Sequence, residues 1–192
     1  MSKMNLPNKL TLLRILMIPI IVIIPMITSL DVNFFSEVTL SNFIILIVFC
    51  IASFTDFLDG YIARKNNLVT DFGKFMDPLA DKLLVFAAFI VLVELGRIEG
   101  WIVTVIIARE FMVTGIRILA ANNDMVISAS KLGKLKTISQ MVTIIVLLLN
   151  NFPFALIDLP VGIILTYIAA ALTVVSGVDY FIKNKEIILK SK

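Results

Sequence analysis

The sequence predicts an all-α integral membrane protein with six transmembrane helices and both termini in the cytoplasm. Of its 192 residues, 59% are hydrophobic and only 16% are charged. The mean hydropathy is +1.02, which is well above that of a typical soluble domain. Six apolar stretches are long enough for a helix to cross a bilayer. Lysine and arginine are unevenly distributed along the chain, and this unevenness predicts the orientation.

Each predicted span is close to the roughly 20 apolar residues that a bilayer requires. The first follows a short basic segment, 1–9, that we expect at the cytoplasmic surface. It is too long for the apolar region of a signal peptide and no clear cleavage site follows, so we interpret it as a retained span. Short connections without low-complexity tracts or repeats indicate a single membrane domain over 1–192. The six spans are predicted at 10–30, 40–63, 75–95, 100–121, 135–152 and 157–182.

Positive charge is concentrated at one end of the predicted spans. Lysines and arginines occupy the termini and the connections at 64–74 and 122–134, whereas Arg97 is the cation near the opposite end. Acidic residues accompany Arg97 there, namely Asp31, Glu37, Glu94, Glu99 and Asp158. Since cytoplasmic loops of membrane proteins carry the excess of positive charge, this pattern predicts cytoplasmic termini in a multi-pass protein of the cell membrane.

The absence of certain residue types narrows the possible chemistry. The chain has no histidine and one cysteine, Cys50, within an apolar run. Histidine-dependent hydrolysis, histidine-ligated metals, an internal disulfide and a cysteine-rich zinc site are therefore excluded. The net charge of +3 is modest, so the charge balance gives no indication of nucleic-acid binding. Acid–base or metal chemistry is expected to depend on carboxylates.

Four aspartates lie unusually close to the hydrophobic spans. Asp56 and Asp59 are three residues apart near the end of the second span, and Asp77 and Asp81 are four apart near the start of the third. Each spacing places a pair on one helical face, roughly 10–12 Å from the cytoplasmic end for Asp56 and Asp81. Two antiparallel neighbouring helices could therefore bring all four carboxylates together.

Such a cluster of carboxylates near lipid requires compensating positive charge. An all-oxygen site suits Mg²⁺ or Mn²⁺, and four aspartates suffice for two ions. In that case the site would face the cytoplasm. The alternative is that the aspartates pair with basic residues at the membrane boundary, namely Arg64, Lys74 and Lys82.

Small residues and an arginine extend the aspartate pattern. Gly60 and Ala63 would let a ligand approach the helix backbone, although close helix packing also explains them. Arg64 is suited to binding phosphate or to anchoring the helix at the interface. The full pattern is D-x2-D-G-x2-A-R-x8-G-x3-D-x3-D, from Asp56 to Asp81. It resembles the signature of the CDP-alcohol phosphotransferase family at every fixed position.

The resemblance implies that a phosphatidyl or similar group is transferred from a CDP-linked donor to an alcohol, with release of CMP. It implies Mg²⁺ or Mn²⁺ bound by Asp56, Asp59 and Asp77, and Asp81 as a general base that also touches a metal. It further implies a homodimer in the membrane lipid. The residues expected to border the CDP portion are Asn8, Thr11, Gly60, Ala63, Arg64 and Gly73.

Three other stretches bear on the acceptor alcohol: NLPNKLTLLR at 5–14, AREFMVTGIR at 108–117 and GKLKT at 133–137. They are similar to members of the family that use glycerol 3-phosphate, so we expect CDP-diacylglycerol and glycerol 3-phosphate to give phosphatidylglycerophosphate and CMP. A basic group suited to the acceptor's phosphate would consist of Arg109, Arg117, Lys134 and Lys136.

Other interpretations of these features remain open. The basic residues could reflect the positive-inside bias and attract anionic lipids. The acceptor could instead be phosphatidylglycerol, inositol phosphate or serine. A metal or proton transporter could also use intramembrane aspartates as a relay, but it would leave Gly60, Ala63, Arg64 and Gly73 unexplained.

Overall fold

Helices account for most of the chain in the computed structural model, which describes residues 5–65, 70–121, 127 and 130–186. The prediction of a helical protein is confirmed. Three short 3₁₀ turns lie at Ile24–Met26, Thr28–Leu30 and Phe154–Ile157. The long helices are α1 (Leu6–Ile23), α2 (Leu40–Lys65), α3 (Asp71–Glu94), α4 (Gly100–Ala121), α5 (Lys131–Leu148) and α6 (Val161–Lys183).

Three helices begin earlier than hydropathy predicts, because a capping side chain precedes each of them; α3, capped by Thr70, begins at Asp71 instead of 75. The Asn5 side chain accepts a hydrogen bond from the Asn8 backbone N–H at 3.1 Å, so α1 starts four residues before the predicted span. Ser130 accepts from the Gly133 N–H at 3.0 Å, and α5 likewise starts at Lys131 instead of 135. Each cap satisfies a backbone donor that the first helical turn leaves unpaired. Hydropathy does not detect such starts, because the first turns of these helices contain polar residues.

One predicted connection contains structure that the sequence did not indicate. Strand β1 (Asn33–Phe35) pairs antiparallel with β2 (Val38–Thr39) inside the connection predicted at 31–39. The hairpin packs its aromatic side chains on α2, with the Phe34 and Phe43 ring centroids 4.9 Å apart. The prediction of a purely helical chain missed this hairpin, because two such short strands have little periodicity to detect.

In the described chain, three helical segments are long and apolar enough to cross a membrane: Leu6–Met26, Leu40–Ile62 and Val161–Lys183. Each of the other three long helices carries at least three charged residues. Large apolar side chains nevertheless point outward from these helices too, as with Phe75 on α3 (72% exposed) and Phe111 on α4 (67%). Apolar surface on this scale is characteristic of a protein that contacts lipid.

The face that α1 buries is polar. Asn8, Thr11 and Arg14 are buried, whereas Leu12 and Leu16 on the same helix are exposed. The apolar core lies further along the bundle, where α1 to α5 contribute Ile21, Ile45, Phe49, Leu84, Phe89, Leu92, Ile102, Ile106, Ile144 and Leu148. Polar side chains near the start of α1 are thus directed into the protein, toward the aspartates.

Candidate active site

Three helices build the aspartate cluster, which consists of Asp56, Asp59 and Asp77 with Arg14 among them. The Arg14 side chain is 0% exposed, and its Nη1 lies 2.7 Å from an Asp56 carboxylate oxygen. Its Nη2 lies 2.5 Å from Asp59, and its Nε donates to the Ala52 carbonyl at 3.3 Å. A guanidinium can contact two carboxylates at once because its nitrogens project in a fixed fork. Nη2 donates a hydrogen bond to Asp59, whereas Nη1 and Asp56 form an ion pair without hydrogen-bond geometry. In the described part of the chain a cation beside Asp56 and Asp59 is thus Arg14 of α1, which sequence analysis did not consider as their partner.

Asp77 is held by the same helix. The Thr11 hydroxyl donates to an Asp77 carboxylate oxygen at 2.6 Å. α1 therefore contacts aspartates of both α2 and α3. The prediction that two antiparallel helices bring the carboxylates together lacked this third element, which packs against both of them.

The start of α3 is joined to α1 beside Asp77. Thr70 caps α3 by accepting from the Gly73 N–H at 3.0 Å, and its hydroxyl donates to the Asn8 amide oxygen at 2.9 Å. A Cβ added to Gly73 would lie 3.3 Å from that same oxygen and from the Thr70 hydroxyl, so a side chain there would be crowded. Three of the predicted nucleotide residues, Asn8, Thr11 and Gly73, are therefore brought together.

The other predicted nucleotide residues lie on α2. Gly60 directly follows Asp59, one turn before the end of the helix. Ala63 and Arg64 are also in α2, but their side chains lie outside the described part of the structure. Their contact with a nucleotide remains a prediction.

The donor atoms of the aspartate cluster fit a hard divalent cation. Carboxylate and hydroxyl oxygens are the ligands that Mg²⁺ and Mn²⁺ prefer. Within the described ranges, however, no three potential ligands are close enough to hold one ion as the side chains now stand. In this arrangement Arg14 is the counter-cation of two of the carboxylates, those of Asp56 and Asp59.

A second group of charges surrounds a cavity of about 240 Å³ between α3, α4, α5 and α6, which we call the basic cavity. All four predicted acceptor residues line it: Arg109, Arg117, Lys134 and Lys136. Asp81, the predicted general base, lines the same cavity. The structure thus places the predicted base and the predicted phosphate-binding residues around one space. Further lining residues include Lys82, Glu110 and Tyr180.

Glu110 holds two of these cations in place. Its Oε1 accepts a hydrogen bond from Arg109 Nη1 at 2.9 Å and another from Lys136 Nζ. All three residues are buried, with Glu110 8% and Lys136 4% exposed. Buried charges require such partners, because removal from water is costly for an unpaired ion.

The remaining cations are less constrained. Arg117 and Lys134 are exposed at the rim of the cavity. Arg117 donates through Nε to the Tyr180 hydroxyl at 3.2 Å, and its guanidinium carbon lies 5.7 Å from the centre of that ring. Lys82 donates to the hydroxyl of Thr114. The rim therefore presents positive charge to an entering anion.

Close packing with α6 sets the position of Arg109. A Cβ added to Gly177 would lie only 2.9 Å from Arg109 Cγ. A residue without a side chain at this point allows Arg109 to lie directly against the helix, which is a common use of glycine where elements approach closely.

Sequence analysis missed Arg14, Glu110 and Tyr180 as members of these groups. Arg14 had a signal, because it follows Asn8 and Thr11 at a spacing of three residues. Glu110 also had one, as an acid within an apolar span beside Arg109. Tyr180 had none, since a tyrosine near a helix end is common in membrane proteins.

Comparison with known proteins gives one family and relatives that share one name. The model of the CDP-alcohol phosphatidyltransferase family matches residues 4–175. A Bacillus subtilis protein named CDP-diacylglycerol–glycerol-3-phosphate 3-phosphatidyltransferase is 49% identical over 186 residues, covering 95% of this chain and 96% of the relative. Proteins of the same name are 42% identical in Rickettsia typhi, over 92% of this chain and 95% of the relative, and 37% identical in Shigella flexneri, over 92% of each.

Proposed function

This chain belongs to the CDP-alcohol phosphatidyltransferase family, and from that premise we propose that it transfers the phosphatidyl group of CDP-diacylglycerol to glycerol 3-phosphate. The products would be phosphatidylglycerophosphate and CMP, as the names of its relatives suggest. The observation that carries this proposal is that Asp81 lines one cavity with four predicted phosphate-binding cations. An acceptor without a phosphate, such as serine, would need less positive charge.

Within this proposal Asp81 is the general base. It accepts the proton of the acceptor hydroxyl, whose oxygen then attacks the phosphorus that carries the diacylglycerol. The bond from that phosphorus to the bridging oxygen breaks, and CMP leaves with the electron pair. The basic cavity holds the phosphate of glycerol 3-phosphate through Arg109, Arg117, Lys134 and Lys136, so that the hydroxyl is positioned for attack.

The aspartate cluster is proposed to hold the divalent ions that the family resemblance implies. Asp56, Asp59 and Asp77 would be ligands of Mg²⁺ or Mn²⁺, joined by Asp81, with two ions as the proposed number. When bound, such ions neutralise the diphosphate and stabilise the leaving CMP. The CDP portion would be bordered by Asn8, Thr11, Gly60, Ala63, Arg64 and Gly73.

We also propose that all six long helices span the cell membrane, with both termini and the active site on the cytoplasmic side. Contacts between successive helices support this arrangement, because residues in the first half of one helix meet residues in the second half of the next. Arg14 meets Asp59 in this way, and Lys82 meets Thr114. The acyl chains of the donor would stay in the lipid. A homodimer is proposed from the family resemblance alone.

The decisive experiment measures CMP release by the purified protein in detergent with CDP-diacylglycerol and Mg²⁺. Glycerol 3-phosphate, inositol phosphate, serine and phosphatidylglycerol are supplied separately. We expect release to require glycerol 3-phosphate. Release with a different acceptor would change the proposed product, whereas no release with any acceptor, together with ion flux in vesicles, would favour the transporter.

A matched pair of lysine variants tests the role of the basic cavity in the same assay. Lys134 lines the cavity, whereas Lys183 is an exposed lysine near the end of α6 that pairs with Asp179. Lys134→Ala is expected to raise the KM for glycerol 3-phosphate, and Lys183→Ala to leave it unchanged. Equal effects of both substitutions would contradict a specific phosphate site.

A further inference from the structure

Arg14 differs from the other cations near the proposed active site. Its side chain is completely buried, and it contacts Asp56 and Asp59 through different nitrogen atoms. Both aspartates are proposed metal ligands, so one protein cation and a divalent ion would share the same carboxylates. Guanidinium groups do not lose their proton in proteins.

The physical consequence concerns the metal-free protein. Carboxylates inside a membrane protein are costly when they are uncompensated, and carboxylates near each other repel. Arg14 supplies positive charge to this group whether or not a metal ion is bound. The same charge repels a divalent cation that approaches Asp56 and Asp59.

We infer that Arg14 is a built-in counter-cation of the aspartate cluster, which stabilises the metal-free fold and lowers the affinity of the cluster for divalent ions. Arg14 thus competes with the divalent ion for the same carboxylates and keeps metal binding reversible. This inference rests on the proposed function, because it requires a divalent ion at these aspartates.

A half-buried arginine elsewhere in the bundle, Arg97, provides a structural control. Arg97 Nη1 donates to the carbonyls of Leu147 and Leu148 at 2.5 and 3.2 Å and so caps the end of α5. It serves backbone carbonyls at the opposite end of the bundle from the aspartates. Substitution of Arg97 should therefore lower stability without changing the response to metal ions.

The experiment compares the wild-type protein with Arg14→Gln, Arg14→Lys and Arg97→Gln, each purified in detergent with Mg²⁺ present. The Tm is measured in EDTA and then across a Mg²⁺ titration without substrates. Ligand that binds the folded state raises the Tm according to its concentration and affinity. We expect Arg14→Gln to have the lowest Tm in EDTA and a larger Mg²⁺-dependent rise than the wild type.

The Mg²⁺ concentration that produces a given rise in Tm should be lower by roughly tenfold or more in Arg14→Gln, since a neighbouring unit charge shifts a buried ionic equilibrium by about that much. Arg14→Lys keeps the charge and should retain a response near that of the wild type. Arg97→Gln should lower the Tm equally with and without Mg²⁺.

Three results would overturn the inference. An unchanged Mg²⁺ response in Arg14→Gln would make Arg14 a packing residue. A reduced response would mean that Arg14 arranges the aspartates for metal instead of competing with it. An enlarged response in Arg14→Lys as well would show that the charge is not responsible.

Failure of this inference can be separated from failure of the proposed function. A wild-type protein that responds to Mg²⁺ and releases CMP only with glycerol 3-phosphate keeps its proposed function even when the Arg14 variants behave otherwise. A wild-type protein whose Tm does not respond to Mg²⁺ would overturn both the Arg14 inference and the proposed metal site, whatever the acceptor assay shows.

Discussion

The aspartate cluster and the basic cavity both draw on α3, but they have opposite charge. In the cluster, Arg14 contacts the carboxylates of Asp56 and Asp59, and Thr11 bonds to the third carboxylate, that of Asp77. In the cavity, five cations accompany Asp81 and Glu110. In each group, one residue of opposite charge bridges two like-charged residues. Arg14 joins the carboxylates of Asp56 and Asp59, and Glu110 joins the cations Arg109 and Lys136.

This comparison indicates how a membrane protein can keep excess charge at a buried site. The bridging residue partly neutralises two like charges and fixes their positions. Other residues with the same charge as the bridged pair remain available to bind a ligand. In both groups the bridging residue is buried and another member reaches the surface: Asp56 has a side chain that is 40% exposed, and Arg117 and Lys134 are exposed at the rim of the cavity. A small cation suits the first group, and an entering phosphate suits the second.

The largest expected effect concerns Asp81, where the two groups meet. Asp81→Asn should lower kcat for CMP release by roughly 10²–10⁴-fold, which is the usual contribution of a general base. The KM for glycerol 3-phosphate should change little, because the cations of the cavity remain. Steady-state kinetics with varied glycerol 3-phosphate check this, and a large rise in KM with kcat preserved would assign Asp81 to acceptor binding instead.

Removal of the bridging acid in the basic cavity should mainly affect stability. Glu110→Ala leaves the buried cations Arg109 and Lys136 without their shared partner, which is expected to cost about 3–5 kcal/mol. Thermal unfolding in detergent measures the loss. Asp179→Ala, which removes the partner of the exposed Lys183, is the control and should change the Tm little; equal losses would mean that burial of the Glu110 bridge is unimportant.

An intermediate effect is expected from the hydroxyl that supports Asp77. Thr11→Val preserves the shape of the side chain but removes its hydrogen bond to this proposed ligand. Loss of such a supporting bond typically lowers metal affinity about 10–100-fold, so more Mg²⁺ should be needed for half-maximal CMP release. Thr104→Val is the control, because Thr104 bonds only to the Gly100 carbonyl of its own helix. Identical Mg²⁺ requirements in both variants would contradict a role for Thr11.

The smallest expected effect is at the rim of the basic cavity. Tyr180→Phe keeps the ring beside Arg117 but removes the hydroxyl that accepts from its Nε. A single hydrogen bond contributes about 1 kcal/mol, so the KM for glycerol 3-phosphate should rise roughly fivefold while kcat stays near the wild-type value. Tyr167→Phe, on the outer part of α6, should leave both constants unchanged. A fall in kcat alone would indicate that Tyr180 acts on the reaction step.

Sequence analysis predicted the parts of the molecule that depend on local spacing. The D-x2-D and D-x3-D pairs share helical faces because residues three and four apart are neighbours in a helix, and the complete pattern resembled the family that the comparisons then confirmed. The helical character also followed from long apolar stretches. Short-range features such as the early start of α5 at Ser130 were missed because a cap depends on one side chain and not on hydropathy.

The spacing of residues along the sequence does not predict which side chains of different helices form ion pairs. The sequence offers Arg64, Lys74 and Lys82 as cations near Asp56 and Asp59. The structure adds Arg14, more than 40 residues earlier in the chain, as a partner of both, while the side chains of Arg64 and Lys74 lie outside its described part. The sequence contained the charges, the family motif and the faces on which they lie. The packing of α1 against α2 and α3, and of α6 against α4 and α5, selected which charges meet. Side-chain contacts between helices depend on the rotation and relative height of the helices, which periodicity within a single helix does not specify.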